Sequence, residues 1–267
     1  MKTRAAILFF AGVLLAVGCT QKPKEFATRT VKGERCWQLI IDDSTTSWVR
    51  NSYELQWPQM GCISSDAERE LIKQVFGSYA DKSLHRSCEN FLNSQGMMEE
   101  VDGVRYPAYN VDAIPDTVMF TEQEISTVCE ANEKFVTLTV TSYIFPEGAA
   151  HGTYDISPIV IERGGGIVQL ADIVDTNQLG PIIARAVNKL PANSDVRECL
   201  FDEFRDTASF PVSQVFSISN TMDTVYLVYG LYWLTPYACG IQNVALPVSM
   251  LNETMALTER GKKIFGL

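Results

Sequence analysis

Histidine is scarce in this sequence: His85 and His151 are the only two among 267 residues. No CxxC pair occurs, and neither histidine stands at ligand spacing from two cysteines, so the sequence offers no metal site. GxSxG, HExxH and paired-carboxylate signatures are missing too, which removes the common hydrolase centres and leaves no cofactor implied. There is no cluster of lysine and arginine. Twenty-two basic residues face 32 acidic ones, a net charge of −10, so the chain lacks the electrostatic footprint of a nucleic-acid binder. Repeats and low-complexity stretches are absent, and no long apolar run follows the first twenty residues. With 46% hydrophobic and 10% aromatic residues, the chain can still bury a sizeable core.

What is present begins with MKTRAAILFFAGVLLAVGCTQ. Lys2 and Arg4 precede an apolar run, Ala5 to Val17, shorter than the ~20 residues a membrane span needs. Ala16-Val17-Gly18-Cys19 resembles the cleavage box of bacterial lipoproteins, with alanine where leucine is usual. That resemblance implies a signal peptide over 1–18, lipidation at Cys19, a polar tether over 19–34, and a place in the cell envelope. The acyl chains would hold the protein on a membrane, expected to be the outer membrane facing the periplasm. Plain signal cleavage, leaving Cys19 an ordinary thiol, is the alternative. Loss of Lys2 and Arg4 takes the net charge from −10 to −12. Such a surface attracts a cationic partner, or serves solubility alone.

Six cysteines remain: Cys36, Cys62, Cys88, Cys129, Cys199 and Cys239. An even number in an exported chain reads as three disulfides. Six cysteines allow 15 pairings. Joining sequence neighbours gives 36 with 62, 88 with 129 and 199 with 239.

The patterning predicts strands over 35–41 and 53–57, the second ended by Pro58. Ser65-Asp66-Ala67-Glu68 reads as a capping box opening a helix with Leu71, Ile72, Val75 and Phe76 on one face. Ser83 caps a second helix carrying Leu84, Cys88, Phe91 and Leu92, with His85 turned to solvent. The proline-interrupted stretch 95–117 marks a seam, dividing the chain into subdomains 35–117 and 118–267. Residues 120–133 are polar and ambiguous. Phe135 to Phe145 alternates as a half-buried strand, and 154–162 follows as another. Gly164-Gly165-Gly166 lacks the context of a phosphate loop and reads as a hairpin turn returning through 167–170. A helix is predicted over 179–190, a short one over 196–204, a hairpin over 212–231, a strand ending near Pro247, and part-helical structure over 250–265. Strands in sequence with interspersed helices argue α+β: an antiparallel sheet with helices on one face, in two intertwined subdomains.

Two stretches carry a resemblance. One is Tyr143, then Gly148-Ala149-Ala150-His151-Gly152, a hairpin, and Leu170-Ala171-Asp172-Ile173-Val174. The other is Leu227-Val228-Tyr229, Tyr232, Pro236-Tyr237-Ala238-Cys239-Gly240 and Ala245-Leu246-Pro247. Together they resemble the exported domain of unknown function, family 3298, shared by the lysozyme-sensing anti-sigma factor RsiV and the cell-wall deacetylase PdaC. Cys36 to about Asn93 resembles the smaller domain, family 4163, that precedes it. Ala149 replaces the family's second glycine, and Cys239 fills a variable place in the Pro-Tyr turn. Neither the anti-sigma factor's transmembrane helix nor the deacetylase's catalytic domain accompanies the match. The resemblance therefore implies a binding module held by lipid, whose ligand is a lysozyme-like protein or peptidoglycan.

His151 has two readings. As a general base it needs Glu147 or Asp155 to orient it and a nucleophile or metal nearby, which would make the chain a cell-wall hydrolase or deacetylase. Flanked by four small residues, it more readily locks a tight turn or touches a ligand. Tyr154, Tyr232 and Tyr237 join it as candidate ligand contacts, with Trp233 beside them. Aromatics around a Pro-Gly turn otherwise serve packing. A purely structural outer-membrane accessory protein is the third possibility.

Overall fold

The computed structural model describes residues 26–59, 61–95, 105–191 and 194–267. The signal peptide and Cys19 lie outside these residues.

Strand β1 (Thr28–Ile40) forms a long hairpin with β2 (Thr46–Pro58), Thr28 opposite Pro58 and Ile40 opposite Thr46. The tether expected over 19–34 is thus already strand from Thr28. Its TRTVKGE stretch looks too polar on its own, and it is the register with β2 that orders it. The first helix, α1 (Ser65–Phe76), is capped by Ser64, one residue before the serine the capping-box reading chose: its side chain accepts from the Ala67 amide at 3.1 Å. Glu68 does not reach back. It accepts from Trp57 Nε1 at 3.3 Å, fastening the helix to β2. Ser64→Ala is therefore expected to cost about 1 kcal/mol in urea unfolding, and Ser65→Ala close to nothing. The second helix, α2 (Leu84–Leu92), is capped by Ser83 as predicted, and His85 is exposed.

The short strand β3 (Ala108–Val111) adds to the outer side of β1. The stretch that looked ambiguous is β4 (Thr121–Ala131), followed by β5 (Phe135–Phe145) and β6 (Thr153–Glu162). The six run in the order β3-β1-β2-β4-β5-β6, all antiparallel except β2 with β4, which lie parallel with Leu55 opposite Thr127. A parallel neighbour needs a crossover, and the segment carrying α1 and α2 supplies it. The sheet thus runs unbroken across the seam near residue 117. Beyond β6, Ile167 makes one bridge to Ile161 where a returning strand was expected.

The remaining elements are α3 (Leu170–Ile173), α4 (Leu179–Lys189), α5 (Asp195–Cys199), β7 (Phe216–Ile218), β8 (Thr224–Tyr229), β9 (Gln242–Pro247), α6 (Val248–Glu253) and α7 (Glu259–Phe265). Strands β7, β8 and β9 form a second, antiparallel sheet. Pro247 ends β9 at its edge, where a missing N–H costs no ladder bond. The molecule is α+β, with two sheets where one was expected.

Alternation in β5 and β6 serves two cores. Val136, Leu138, Val140, Ile159 and Ile161 face α1 and α2, with Leu55 and Trp57. Phe135 and Val160 point the other way, into the core of α4 and the small sheet.

The disulfide expectations divide. Cys199 is bonded to Cys239, while Cys36, Cys62, Cys88 and Cys129 are free. The pair 36–62 fails on register: Cys36 opposes Arg50, whereas Cys62 lies beyond Pro58, which opposes Thr28. Eight residues of strand at about 3.3 Å each part them by roughly 26 Å. The pair 88–129 fails similarly. Cys88 lies beside the Tyr53 side chain, Tyr53 opposes Ile125, and Cys129 is four residues further along β4. Burial pushes the Cys88 thiol up to about 11.

Candidate functional site

The β5–β6 turn and the long loop joining β8 to β9 meet at one carbonyl. The turn bends at Gly148, whose φ of +76° needs no Cβ, and the Ala149 amide closes it on the Pro146 carbonyl at 3.0 Å. At its end the Gly152 carbonyl accepts twice, from the Tyr237 hydroxyl at 2.7 Å and from His151 Nδ1 at 3.1 Å. Because a carbonyl can only accept, the ring proton sits on Nδ1. The imidazole stacks on Tyr237 with centroids 4.2 Å apart and planes 24° from parallel. Gly152 leaves room for a neighbour: a Cβ there would lie 2.5 Å from the Tyr143 ring, which would have to move aside. His151 and Tyr237, named separately by the sequence, are one latch between the two sheets.

Neither carboxylate proposed to orient the histidine does so. Glu147 accepts from the Ser47 hydroxyl at 2.6 Å, and its amide donates to Thr121 Oγ1. Asp155 accepts from the Ser157 hydroxyl at 2.7 Å. Among the described residues no group of three His, Cys, Asp or Glu side chains could hold a metal ion, and no helix is long and apolar enough to cross a membrane.

The β8–β9 loop presents aromatic rings outward. Tyr232 is 58% exposed and Trp233 51% exposed. Tyr232 holds a φ of +62°, a conformation that costs a non-glycine residue about 1–3 kcal/mol. Its ring lies 5.9 Å from Tyr237, and Trp233 lies 5.5 Å from Tyr229. Tyr229 is the anchor beneath. It is fully buried, its hydroxyl donates to the Pro211 carbonyl at 2.8 Å, and burial pushes the phenol far above its ordinary value. The cystine to Cys199 fixes the far end of the loop on α5, with the Phe201 amide donating to the Leu234 carbonyl at 3.0 Å.

Tyr154 stands between three open clefts. One of about 510 Å³ lies towards α1, lined by Phe76, Tyr79, Gln123, Ile125 and Asp155. A second of about 450 Å³ lies under Tyr232 and Trp233 and shares Thr153, Tyr154 and Asp155 with the first. The third, about 620 Å³, lies towards Tyr226 and Asn243. In the first cleft, Gln123 is 6% exposed, and its Nε2 is buried with no hydrogen-bond partner. A buried donor left unmet costs about 1–3 kcal/mol, which sets this amide apart from the apolar residues around it. Gln123 was passed over in the ambiguous stretch. Its signal was available: on β4, Thr121, Gln123, Ile125 and Thr127 share the inward face, and a glutamine among them is out of place in a plain core.

No protein-family model and no curated protein matches the chain. Its structure is similar to two crystal structures of DUF3298 family members, a family of unknown function. The one from Bacteroides fragilis NCTC 9343 superposes with a TM-score of 0.59 at 12% identity, covering 90% of this chain and 96% of that one. The one from Pseudomonas aeruginosa PAO1 gives 0.52 at 14% identity, covering 89% and 97%. At these identities the likeness is one of fold, and it spans nearly the whole of both partners.

Proposed function

We propose that this chain is a lipid-anchored envelope protein that binds the N-acetylated glycan of peptidoglycan and does not cleave it. The observation that carries the reading is the unpaired Gln123 donor beside a cleft walled by Phe76 and Tyr79. A sugar ring offers such a cleft its apolar C–H face for stacking on aromatics. Its hydroxyls suit the Asp155 carboxylate, and an acetamido carbonyl suits the Gln123 amide once that side chain turns into the cleft. The exposed Tyr232 and Trp233 extend the surface beside the adjoining cleft, in keeping with a polymeric ligand. The DUF3298 fold adds no substrate, and the wall-related setting rests on the sequence resemblance and on the lipoprotein-like N-terminus.

Binding is favoured over catalysis because His151 is engaged by a backbone carbonyl and a tyrosine face, with neither Glu147 nor Asp155 bonded to its ring. One observation favours a second ligand: the net charge of −10 would hasten encounter with a cationic lysozyme-like protein. The two separate by salt. Capture of a lysozyme that fades with added salt supports the protein ligand, whereas retention of glycan fragments at high salt supports the cleft.

Gln123→Leu tests the reading with opposite signs in two measurements. Replacing the amide with an apolar side chain of similar size is expected to raise unfolding free energy by about 1 kcal/mol, since an unmet donor disappears. The same change is expected to weaken calorimetric binding of soluble N-acetylated muropeptides about tenfold, the loss of one hydrogen bond. Equal binding by wild type and variant would remove Gln123 from the site. Release of new reducing ends or acetate by the wild-type protein would overturn the non-catalytic reading.

A further inference from the structure

We propose that Cys62 and Cys129 form a second cystine in the oxidised protein, clamping the loop between β2 and α1 to the end of β4.

The placement of both residues follows from the sheet. Cys129 lies on the helix-facing side of β4, continuing the row of Ile125 and Thr127, and packs at the margin of that core. Its amide donates to Gln56 Oε1 at 3.1 Å, and the Thr127 hydroxyl donates to the Gln56 carbonyl at 3.0 Å. The last turn of β2 therefore lies alongside. Past Pro58 the chain folds over: the Gln59 amide donates to the Ala27 carbonyl at 2.9 Å and the Cys62 amide to the Gln59 carbonyl at 3.1 Å. The Cys62 carbonyl accepts from the Gly164 amide at 3.3 Å. Gly164 belongs to the turn after β6, and that turn is stitched to the β4–β5 turn by Arg163 N donating to the Lys134 carbonyl at 2.8 Å. Cys62 is thus held where the ends of β2, β4 and β6 converge, next to Cys129.

The electrostatics agree with that proximity. Burial, first, and the neighbouring Cys62 sulfur, second, push the Cys129 thiol up to about 12. Both side chains are partly accessible, so an oxidant can reach them. The other two thiols have no such neighbour. Cys36 is buried on β1 facing away from α2, because Arg35 reaches Glu89 and Trp37 donates to the Leu92 carbonyl on the opposite face. Cys88 is buried on α2 itself.

The chemistry is thiol–disulfide exchange with a disulfide oxidant, such as oxidised glutathione in vitro or a disulfide oxidoreductase in the envelope. The Cys62 thiolate attacks one oxidant sulfur, forming a mixed disulfide and expelling one thiol. Cys129, losing its proton, attacks the Cys62 sulfur and expels the second thiol. Two electrons pass to the oxidant, and the two protons lost by the cysteines end on its two thiols.

The test is a cystine map of the full chain. The protein is incubated with oxidised glutathione, alkylated under denaturing conditions and digested without reduction, and the peptides are weighed. A Cys62–Cys129 linked pair, two hydrogens lighter than the separate peptides, is expected beside Cys199–Cys239, with Cys36 and Cys88 alkylated. Alkylation of both Cys62 and Cys129, linkage of either to Cys36 or Cys88, or glutathione retained on Cys62 would overturn the proposal. Cys62→Ser adds a check: Cys129 should become fully alkylated while Cys199–Cys239 stays linked. The wild-type map decides even if that variant folds poorly.

Discussion

Replacing Cys199 and Cys239 together by serine is expected to lower the unfolding free energy by about 2–4 kcal/mol. The bond spans 40 residues. By chain-entropy reasoning, closing a loop of that length in the unfolded state is worth roughly 4 kcal/mol, and native bridges commonly deliver about 2–4. The consequence reaches the site as well. Cys239 follows Tyr237 in a single 3₁₀ turn, and Gly240 then takes a φ of +69°. Without the covalent tie, that turn keeps the Gln242 side chain donating to the Cys239 carbonyl at 2.6 Å and the Tyr237–Gly152 bond. These non-covalent contacts hold the aromatic latch less firmly, so muropeptide binding should weaken along with stability. Urea unfolding followed by tryptophan fluorescence gives the first quantity and calorimetry the second. Reduction of the wild-type protein should reproduce both losses. A change in unfolding free energy below about 1 kcal/mol would mean that the loop is ordered by its other contacts.

This bridge was legible in the sequence because its two cysteines are neighbours in the list and in space. The other pairings were not legible, since nothing local shows that β2 lies parallel to β4 across a helical crossover. That single pairing brings Gln56 to Cys129 and carries Cys62 with it. The same contrast holds for the elements. Phe135 to Phe145 declared itself because apolar residues alternate with threonines along it and bury one face, whereas the start of β1 and most of β4 are polar at positions that only a partner strand orders. The candidate site divides likewise. His151, Tyr154, Tyr232 and Tyr237 could be singled out one by one. The meeting of His151 and Tyr237 on one carbonyl exists only after the two sheets have docked, and the cleft beside Gln123 only after the α1 segment has packed on the large sheet.

Gly261→Ala is expected to destabilise the protein by about 2–3 kcal/mol, although the same change in an unpacked helix would stabilise it by about 1 kcal/mol. Gly261 lies in the first turn of α7, where its amide donates to the hydroxyl of the N-cap Thr258 at 2.9 Å. The helix is set directly on α3. The Thr258 amide donates to the Ile173 carbonyl at 2.9 Å, and its hydroxyl donates to the Asp172 carbonyl at 2.6 Å. A Cβ on Gly261 would sit 2.1 Å from the Ile173 carbonyl oxygen and 3.0 Å from its carbon. These are backbone atoms that no rotamer change can move, so α7 must lift off α3. Lifting it strains the Arg260 ion pairs with Glu162 and Asp172 and uncovers Ile264. The overpacking cost of such a shift, about 1–3 kcal/mol and occasionally more, is placed at the upper end because the obstacle is rigid. Gly166→Ala, with nothing within 4 Å of the new carbon and an unremarkable φ, is the control and should change stability by less than about 0.5 kcal/mol. The decisive feature is the sign: a melting temperature raised by Gly261→Ala would show that α7 does not rest on the Ile173 carbonyl.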